Sequence, residues 1–477
     1  MYILSLGGGF RVRNSGERRM DWAVKELAGT NLGDARLDER LMTMVAGLSE
    51  RPDSTVPLFS GNWTKTKAAY RFWDNPKVTP RGILQSHVER TVRRALEHDV
   101  VLVAQDTTEI DLTSHRKTSG VGYLASSKCR GFLVHSLLAI SPTGVPLGLL
   151  GQQHWTRPFE ELGKTAQRRH KSIDEKESGR WLEGLAAAEQ TLADHPQVVV
   201  VADREADIFE LFAAPRRANV SLLVRVRHAR RAVQHEAKQL QPALEQAPVA
   251  GQVSVTVPRR DDRPTRSAVL TVRFAKLVIR PPGQLAGQTP QTVFFILAEE
   301  VCPPEGVPPI RWILASTMPV ESLDDAVRMI GWYVVRWRIE RFHYVLKSGC
   351  GIEKLELETV ERMRRALATF SIVAWRLLWL TYAARETPNA SCEIVLSRHE
   401  WKLLYSLAHR GQCVPEEPPT LREAVRLIAR LGGFLGRRHD GEPGVKTLWR
   451  GLRRFHDILD AIPSLRELLA EHRATYG

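Results

Sequence analysis

Residues 198–203 read Val-Val-Val-Val-Ala-Asp, and this stretch decides the fold class. Five consecutive apolar residues, four of them β-branched, are typical of a strand that is buried on both faces. The preceding segment, Asp174–Leu192, has the spacing of a helix, and another helix is expected over Asp207–Ala213. A buried strand between two helices predicts an α/β protein with parallel strands.

Strand candidates continue on both sides of this stretch. Upstream they are Val100–Ala104, Leu133–Ile140 and Val145–Leu150. Downstream, between about 220 and 315, they follow one another quickly and are separated by Pro/Gly turns: Ser221–Val226, Gln252–Val257, Ala268–Ile279, Thr292–Ala298 and Arg311–Ala315. Closely spaced strands of this kind predict an antiparallel β insertion at about 220–315.

Helical periodicity dominates both ends of the chain. Near the N-terminus, Asp34 is placed to cap a helix whose apolar residues recur every three or four positions: Leu37, Leu41, Met44, Val45 and Leu48. Residues 322–384 are also predicted to be helical. Near the C-terminus, the predicted helix Leu421–Leu435 carries an apolar stripe formed by Leu421, Val425, Ile428 and Leu431. This stripe either contacts a second chain or packs within its own domain.

Four parts are therefore predicted. Residues 1–20 form a disordered leader, or residues 1–19 precede a true start at Met20. Residues 21–98 form a helical domain, residues 99–384 an α/β domain with the β insertion, and residues 385–477 a second helical domain.

The composition limits the possible partners. The 477 residues include 68 Lys and Arg against 54 Asp and Glu, a formal charge of +14. A chain this basic suggests a polyanionic partner: nucleic acid, an anionic membrane surface or an acidic protein. No apolar stretch reaches the roughly 20 residues that a membrane span needs. The five cysteines are widely spaced and lack a CxxC pair, which argues against a disulfide framework or zinc knuckle and fits a reducing cytoplasm.

Two aspartates are candidates for a site. Asp106 and Asp203 each follow a strand pattern, and ligands of α/β sheets usually bind at strand ends. The alternative is that each is a turn or helix-cap residue, which is the commoner role of an aspartate in that position. For Asp106 the alternation continues through Ile110 and Leu112, so the chain is expected to stay extended there, which fits a cap poorly.

A third candidate comes from one helical segment. Tyr333, Arg336, Glu340 and Lys347 fall within an arc of roughly 60° when a helix advances about 100° per residue. The alternative is an exposed stripe of salt bridges. Apolar neighbours around most of the helix favour a stripe that faces a cleft. Arg and Lys can bind phosphates there, and the carboxylate could hold a metal.

Three carboxylates from distant segments can converge only if a cation neutralises them. Mg²⁺ prefers oxygen ligands, and two such ions can stabilise the attacking and leaving oxygens of phosphoryl transfer. The residues alone therefore predict a Mg²⁺-dependent enzyme that transfers phosphoryl groups on DNA, either a nuclease or a transesterifying recombinase.

The pattern resembles a known family. Asp106-Thr107-Thr108, the stretch VADREAD at 201–207 and the spacing Tyr333-x2-Arg336-x3-Glu340-x6-Lys347 resemble the insertion-sequence-four family of bacterial cut-and-paste transposases. The likeness runs from about Asp21 to near the C-terminus. It includes the stretches DEKESGRWL at 174–182 and RWRIERFH at 336–343.

The resemblance implies an RNase H-like catalytic core with a β insertion, an N-terminal helical domain that binds transposon-end DNA and a C-terminal dimerisation domain. Asp106, Asp203 and Glu340 would be the catalytic residues and the ligands of two Mg²⁺ ions per active site, with Mn²⁺ able to substitute. The implied DNA contacts are Tyr333, Arg336, Lys347, Trp312 (which would stack on a flipped base), Arg225, Arg227, Arg36, Arg40 and Arg71.

The implied partners are double-stranded DNA, both as inverted-repeat ends and as target, and a second copy of the chain in a paired-end complex. The implied location is the bacterial cytoplasm, in association with the nucleoid and not with a membrane. The implied reaction is hydrolysis at the transposon ends, hairpin formation and resolution, and strand transfer. Two alternatives stay open: an inactive or domesticated DNA-binding protein of the same fold, and a structure-selective Mg²⁺-dependent nuclease.

Overall fold

A computed structural model describes residues 21–126, 128–164, 172–257, 266–409 and 412–476. Within these ranges the chain forms two compact units. The first contains residues 21–86, 348–351 and 365–476, and the second contains residues 87–347 and 352–364. The leader predicted at 1–20 lies outside the described residues.

The second unit is built on one sheet of ten strands. The strands are β1 (Val101–Asp111), β2 (Gly122–Tyr123), β3 (Arg130–Ile140), β4 (Pro146–Trp155), β5 (Val198–Ala202), β6 (Val220–Arg225), β7 (Val249–Val257), β8 (Arg266–Ile279), β9 (Gln291–Glu300) and β10 (Arg311–Ser316). Their order is β2-β3-β1-β5-β6-β10-β9-β8-β7, and β4 pairs with β3.

The helices are α1 (Asp21–Glu26), α2 (Ala35–Glu50), α3 (Val56–Ser60), α4 (Trp63–Asp74), α5 (Pro80–Ala95), α6 (Gly179–Thr191), α7 (Phe209–Ala213), α8 (Leu240–Gln246), α9 (Leu323–Val335), α10 (Trp337–Tyr344), α11 (Val360–Glu386), α12 (Arg398–Ala408), α13 (Leu421–Leu431) and α14 (Val445–Tyr476). Helices α1 to α4 and α12 to α14 belong to the first unit, and α6 to α10 belong to the second.

Strand β5 lies near the middle of the sheet. All five of its residues are buried, as a run of β-branched residues predicts. It pairs in parallel with β1 on one side and with β6 on the other, while β1 pairs antiparallel with β3. The α/β fold class, with helices at both ends of the chain, is thus confirmed.

The start of the β insertion needs correction. The first of its predicted strands is β6, which pairs in parallel with β5 and therefore belongs to the central sheet. The antiparallel part consists of β7 to β10, and β10 joins it to β6, so the insertion extends the central sheet. A short apolar strand looks the same in sequence whether its neighbour is parallel or antiparallel, so the boundary at 220 was placed too early.

Two predicted helices also differ from those observed. Helix α6 begins at Gly179 and not at Asp174, because a capping box between Ser172 and Glu175 closes a separate turn first. The segment that follows Ser322 is interrupted at Arg336, where α9 ends and α10 begins, and a π-helical turn follows over Val345–Gly349. The four residues predicted on one helical stripe therefore do not share one regular helix.

The N-terminal helix prediction is confirmed. The Asp34 side chain accepts a hydrogen bond from the backbone N–H of Arg36 at 2.9 Å, and α2 follows directly. The predicted apolar residues of α2 are buried.

Helix α11 is long and apolar enough to span a membrane by length and composition, which the sequence analysis did not anticipate. Its most apolar window is 83% buried within the protein, as expected of a core helix.

The apolar stripe of α13 is used within the chain. Leu421, Val425 and Ile428 are buried, and α13 packs against α14. The stripe is therefore not free to meet a partner, and the within-domain alternative is the correct one.

Candidate active site

The register of the sheet sets two of the candidate carboxylates at the same level. In the parallel pairing of β1 with β5, Ala104 lies opposite Val201, and Asp106 and Asp203 each follow two residues later. Asp106 lies inside β1, opposite Ser136 of β3, because the strand continues to Asp111. Asp203 directly follows β5 and caps a short turn, its Oδ1 accepting a hydrogen bond from the N–H of Glu205 at 2.8 Å.

Glu340 lies in the first turn of α10, which packs against β1 and β3. Its side chain is 36% exposed, whereas that of Asp106 is 17% exposed. Three segments that are far apart in sequence thus bring their carboxylates to one region of the second unit.

The electrostatics show that these carboxylates influence one another. Burial raises the pKa of Asp203, and the negative charge of Asp106 raises it further. The pKa of Glu340 is also raised, by burial first, while Arg336 opposes the shift and the charges of Asp106 and Asp203 add to it. Neighbouring negative charges of this kind attract a cation.

The pKa of Asp106 shifts in the opposite direction. Burial alone would raise its pKa, but the hydrogen bond and charge of His343, together with the charge of Arg336, lower it. Nδ1 of His343 lies 3.5 Å from Oδ2 of Asp106, and its Nε2 lies 3.2 Å from the hydroxyl of Ser136. Sequence analysis did not identify His343, although its position three residues after Glu340 places it on the same side of α10.

Arg336 lies between two of the carboxylates. Its Nη2 donates to Oε1 of Glu340 at 2.6 Å, and its Nη1 is 3.9 Å from Oδ1 of Asp106. The side chain is only 5% exposed, and its guanidinium lies over the rings of Tyr333 and Trp337. Arg336 therefore supplies positive charge to both carboxylates.

The donor set fits a hard divalent ion, since all three candidate ligands are carboxylates. Across the described ranges, however, no group of three or more His, Cys, Asp or Glu side chains is arranged to hold a metal ion. Glu340 instead pairs with the guanidinium of Arg336.

The predicted DNA-contacting residues of the second unit divide into two sets. Trp312 packs edge-on against Tyr333 at 6.1 Å, and Tyr333, which is itself buried, interacts electrostatically with Arg225. Lys347 lies apart from them. Its Nζ donates to the carbonyl of Glu109 at 2.9 Å and pairs with Glu353 at 3.0 Å.

Arg227 is exposed on the loop that follows β6. The buried carboxylate of Asp207 anchors this loop: it accepts from the backbone N–H groups of Arg227 and His228 and pairs with Arg231. Asp207 thus holds the loop by three contacts, which gives the last acid of the stretch VADREAD a structural role.

A second supporting residue is Arg180 of α6. Its Nε donates to the Thr107 hydroxyl at 2.9 Å and its Nη2 to Glu205 at 2.5 Å. It thus links the residue after Asp106 to the turn that Asp203 caps. The stretch DEKESGRWL contains Arg180, but sequence alone gave no reason to select it.

Two of the three predicted DNA contacts of the first unit lie together, and the third lies apart. Arg36 and Arg40 of α2 line a cavity of about 610 Å³ together with Lys65 of α4. Arg71 is exposed on α4 but does not line this cavity. The Arg36 side chain is 85% exposed and pairs with Asp34, whose pKa it lowers to about 2.

Three family models match the chain, and all three describe transposases. Transposase DNA-binding matches residues 19–78, transposase DDE domain matches residues 180–375, and transposase Tn5 dimerisation domain matches residues 372–466. The DDE match agrees with an RNase H-like core in the second unit.

The chain therefore belongs to the DDE transposases, and within them it is related to the transposase of transposon five. It is an enzyme of DNA phosphoryl transfer that binds DNA, forms a homodimer and depends on a divalent metal, as its family does.

Proposed function

We propose that this transposase excises an insertion sequence and inserts it elsewhere by four phosphoryl transfers. Water attacks each transposon end and releases a 3′-OH. That hydroxyl attacks the opposite strand and forms a hairpin, which a second water opens. The freed 3′-OH then attacks target DNA. Each strand exchange forms one phosphodiester and breaks one, so no nucleotide cofactor is required.

Asp106, Asp203 and Glu340 would hold two Mg²⁺ ions, with Mn²⁺ able to replace them. Bound there, the ions would neutralise the carboxylates and stabilise charge on the attacking and leaving oxygens. Nδ1 of His343 contacts Oδ2 of Asp106, so Oδ1 would be the oxygen that binds a metal ion.

The remaining site residues act on the DNA. Arg336 and Lys347 neutralise phosphates near the cut, and the buried ring of Tyr333 supports the guanidinium of Arg336 that lies over it. Trp312 offers a partly exposed indole for an extruded base. Asp207 fixes the loop that carries Arg227 towards the end DNA.

Each part of the chain takes one task in this scheme. Residues 21–98 bind the inverted-repeat ends, with Arg36, Arg40 and Arg71 as contacts. Residues 99–384 perform the chemistry, and residues 385–477 pair two protomers. A DNA substrate and five free cysteines support a cytoplasmic, nucleoid-associated location.

One observation carries the proposal. Asp106 and Asp203 stand at the same level of adjacent parallel strands, and both charges raise the pKa of Glu340. A cluster of three carboxylates in a basic protein is expected at a site that binds a divalent cation beside DNA.

The test is to incubate the protein with its flanking inverted repeats and Mg²⁺, and to resolve nicks, hairpins and joined products on a gel. Asp106→Asn, Asp203→Asn and Glu340→Gln should each reduce nicking by about 10³-fold or more while end binding stays within a few-fold of wild type. Glu356→Gln removes an exposed carboxylate of the same unit and is the matched control.

Two outcomes would contradict the proposal. Near wild-type nicking by any one of the three variants would remove that residue from the site. Nicks and hairpins without joined products would identify a nuclease. Ca²⁺ should support binding with little cutting, since its longer and looser coordination misplaces the reacting oxygens.

A further inference from the structure

Arg336 forms an ion pair with Glu340, a residue that the proposed reaction needs as a metal ligand. Its Nη2 holds Glu340 at 2.6 Å, although Glu340 is the carboxylate that must complete the metal site. Its Nη1 is also 3.9 Å from Asp106. One guanidinium therefore partly neutralises two of the three candidate ligands.

The same guanidinium has unused donors. Nε and Nη1 of Arg336 are buried and have no hydrogen-bond partner among the described residues. A buried donor without an acceptor is costly, so these atoms mark a place where an acceptor is missing. The rings of Tyr333 and Trp337 flank the group at 5.7 and 5.4 Å and limit where it can move.

Resting on the function proposed above, we infer that Arg336 is a positioning residue that keeps Glu340 away from the metal until a DNA phosphate takes the place of Glu340. A phosphate is the natural acceptor to replace Glu340 on Nη2, because it can bind an arginine through two parallel hydrogen bonds, one from Nη2 and the other from Nε or Nη1. Once the phosphate is bound, Glu340 is released to the metal.

Charge makes the exchange reciprocal. A divalent ion at Glu340 repels the neighbouring guanidinium, which then requires another anion, and the phosphate of the DNA supplies it. DNA binding and metal binding must therefore strengthen each other by the same factor. Metal-dependent cutting would then begin only where an end is seated in the site.

The simpler interpretation is a permanent ion pair that only stabilises the fold. It predicts that removing the charge of Arg336 weakens the protein without improving metal binding. The inference predicts the opposite effect on the metal, and this difference can be measured without any cleavage.

The experiment is a Mn²⁺ titration of the full chain without DNA, followed by electron paramagnetic resonance. Arg336→Gln should bind Mn²⁺ at least tenfold more tightly than wild type, because the competing charge is gone. Arg336→Lys keeps the charge and should stay near wild type. Arg341→Gln removes an exposed arginine of the adjoining helix α10 and should also stay near wild type. Thermal unfolding checks that all variants fold.

The second measurement is end-DNA affinity with chelator and with Ca²⁺. Wild type should gain at least fivefold from Ca²⁺, and Arg336→Gln should gain little, since the link between the two ligands is lost.

The outcomes separate the inference from the proposed function. Asp106→Asn is introduced into the wild-type chain and into the Arg336→Gln variant. If it changes Mn²⁺ binding in neither, the carboxylates are not the metal site, and both the inference and the proposed function fail. If Asp106→Asn weakens binding but Arg336→Gln binds no more tightly than wild type, only the inference is overturned. Tight binding by Arg336→Lys, or an equal gain from Ca²⁺ in wild type and Arg336→Gln, would also overturn it.

Discussion

Asp106 and Asp203 lie at one level of two adjacent strands, yet their carboxyl groups ionise differently. His343 and Arg336 overcome burial and lower the pKa of Asp106, whereas burial and the charge of Asp106 raise that of Asp203. In the metal-free protein, the ionised form of Asp106 therefore stabilises the fold, and that of Asp203 destabilises it.

Substitution of these two residues should change stability in opposite directions. In chelator at pH 7–8, Asp203→Asn should stabilise the fold by about 0.5–2 kcal/mol, as removal of a strained active-site charge often does. Asp106→Asn should destabilise it by about 1.5–3 kcal/mol, because a charged hydrogen bond is lost. Thermal unfolding would measure both effects.

The pH dependence of the unfolding free energy tests whether charge causes these two effects. The pKa of Asp203 is raised, so its penalty is absent below the unfolded value of 3.8 and complete above the folded pKa. The gain from Asp203→Asn should therefore disappear as the pH falls towards 4. The stabilisation by Asp106 is present above 3.8 and is lost as the pH falls through its lowered pKa. A gain from Asp203→Asn that persists at low pH would show that charge is not its cause.

Trp312 provides a test at a later step of the reaction. Its indole is partly exposed and contacts Tyr333 by its edge, so it can stack on a base without leaving its strand. Trp312→Ala should leave the first nick within a few-fold of wild type and reduce hairpin formation by roughly 5- to 100-fold, the equivalent of about 1–3 kcal/mol of stacking. Trp312→Phe should retain part of the hairpin formation that Trp312→Ala loses. Loss of end binding with a lower unfolding temperature would instead assign Trp312 to the core.

At the scale of single elements, the central strand could be predicted and its surroundings only in part. Val198–Ala202 can be recognised as a strand from the sequence, because burial on both faces requires an unbroken apolar run. The partner of Val220–Arg225 could not be predicted, because pairing direction depends on a neighbour about 20 residues away in sequence.

The segment that carries Glu340 shows a second limit. Nothing near Arg336 is a glycine or proline, so the sequence gives no sign that a helix ends there. Arg336 and Glu340 still meet across the break, because they are four positions apart, as the predicted stripe requires.

Helices α13 and α14 depend on glycine where they cross. A Cβ at Gly451 would lie 1.8 Å from the carbonyl oxygen of Ile428, and one at Gly432 would lie 1.8 Å from that of Thr447. The two backbones therefore touch, and neither helix can accept a larger residue there without moving.

Gly451→Ala should accordingly destabilise the first unit by about 1–3 kcal/mol, the usual cost of inserting a methyl group into packed structure. Denaturant unfolding would measure this change. Gly444→Ala is the matched control, because a Cβ there meets no atom within 4 Å. Equal stability of the two variants would show that the helices can separate without cost.

For the whole molecule, the open question is which surface joins two protomers. The α13 stripe is excluded because it is buried within the chain. On α14, by contrast, Leu465 and Leu468 are 53% and 60% exposed, and their spacing of three residues places them on one side of the helix. The dimerisation match reaches residue 466, so it includes the first of these leucines.

We therefore expect the double substitution Leu465→Glu and Leu468→Glu to disrupt pairing while leaving the fold intact. Burial of a leucine contributes about 1.5–3 kcal/mol, so the dimer should weaken by at least tenfold. On a native gel with end DNA, the two-end complex should disappear while the single-end complex remains. Leu435→Glu changes a leucine that is 64% exposed in the same unit and should leave both complexes unchanged. Persistence of the two-end complex in the double variant would place the protomer contact on another surface.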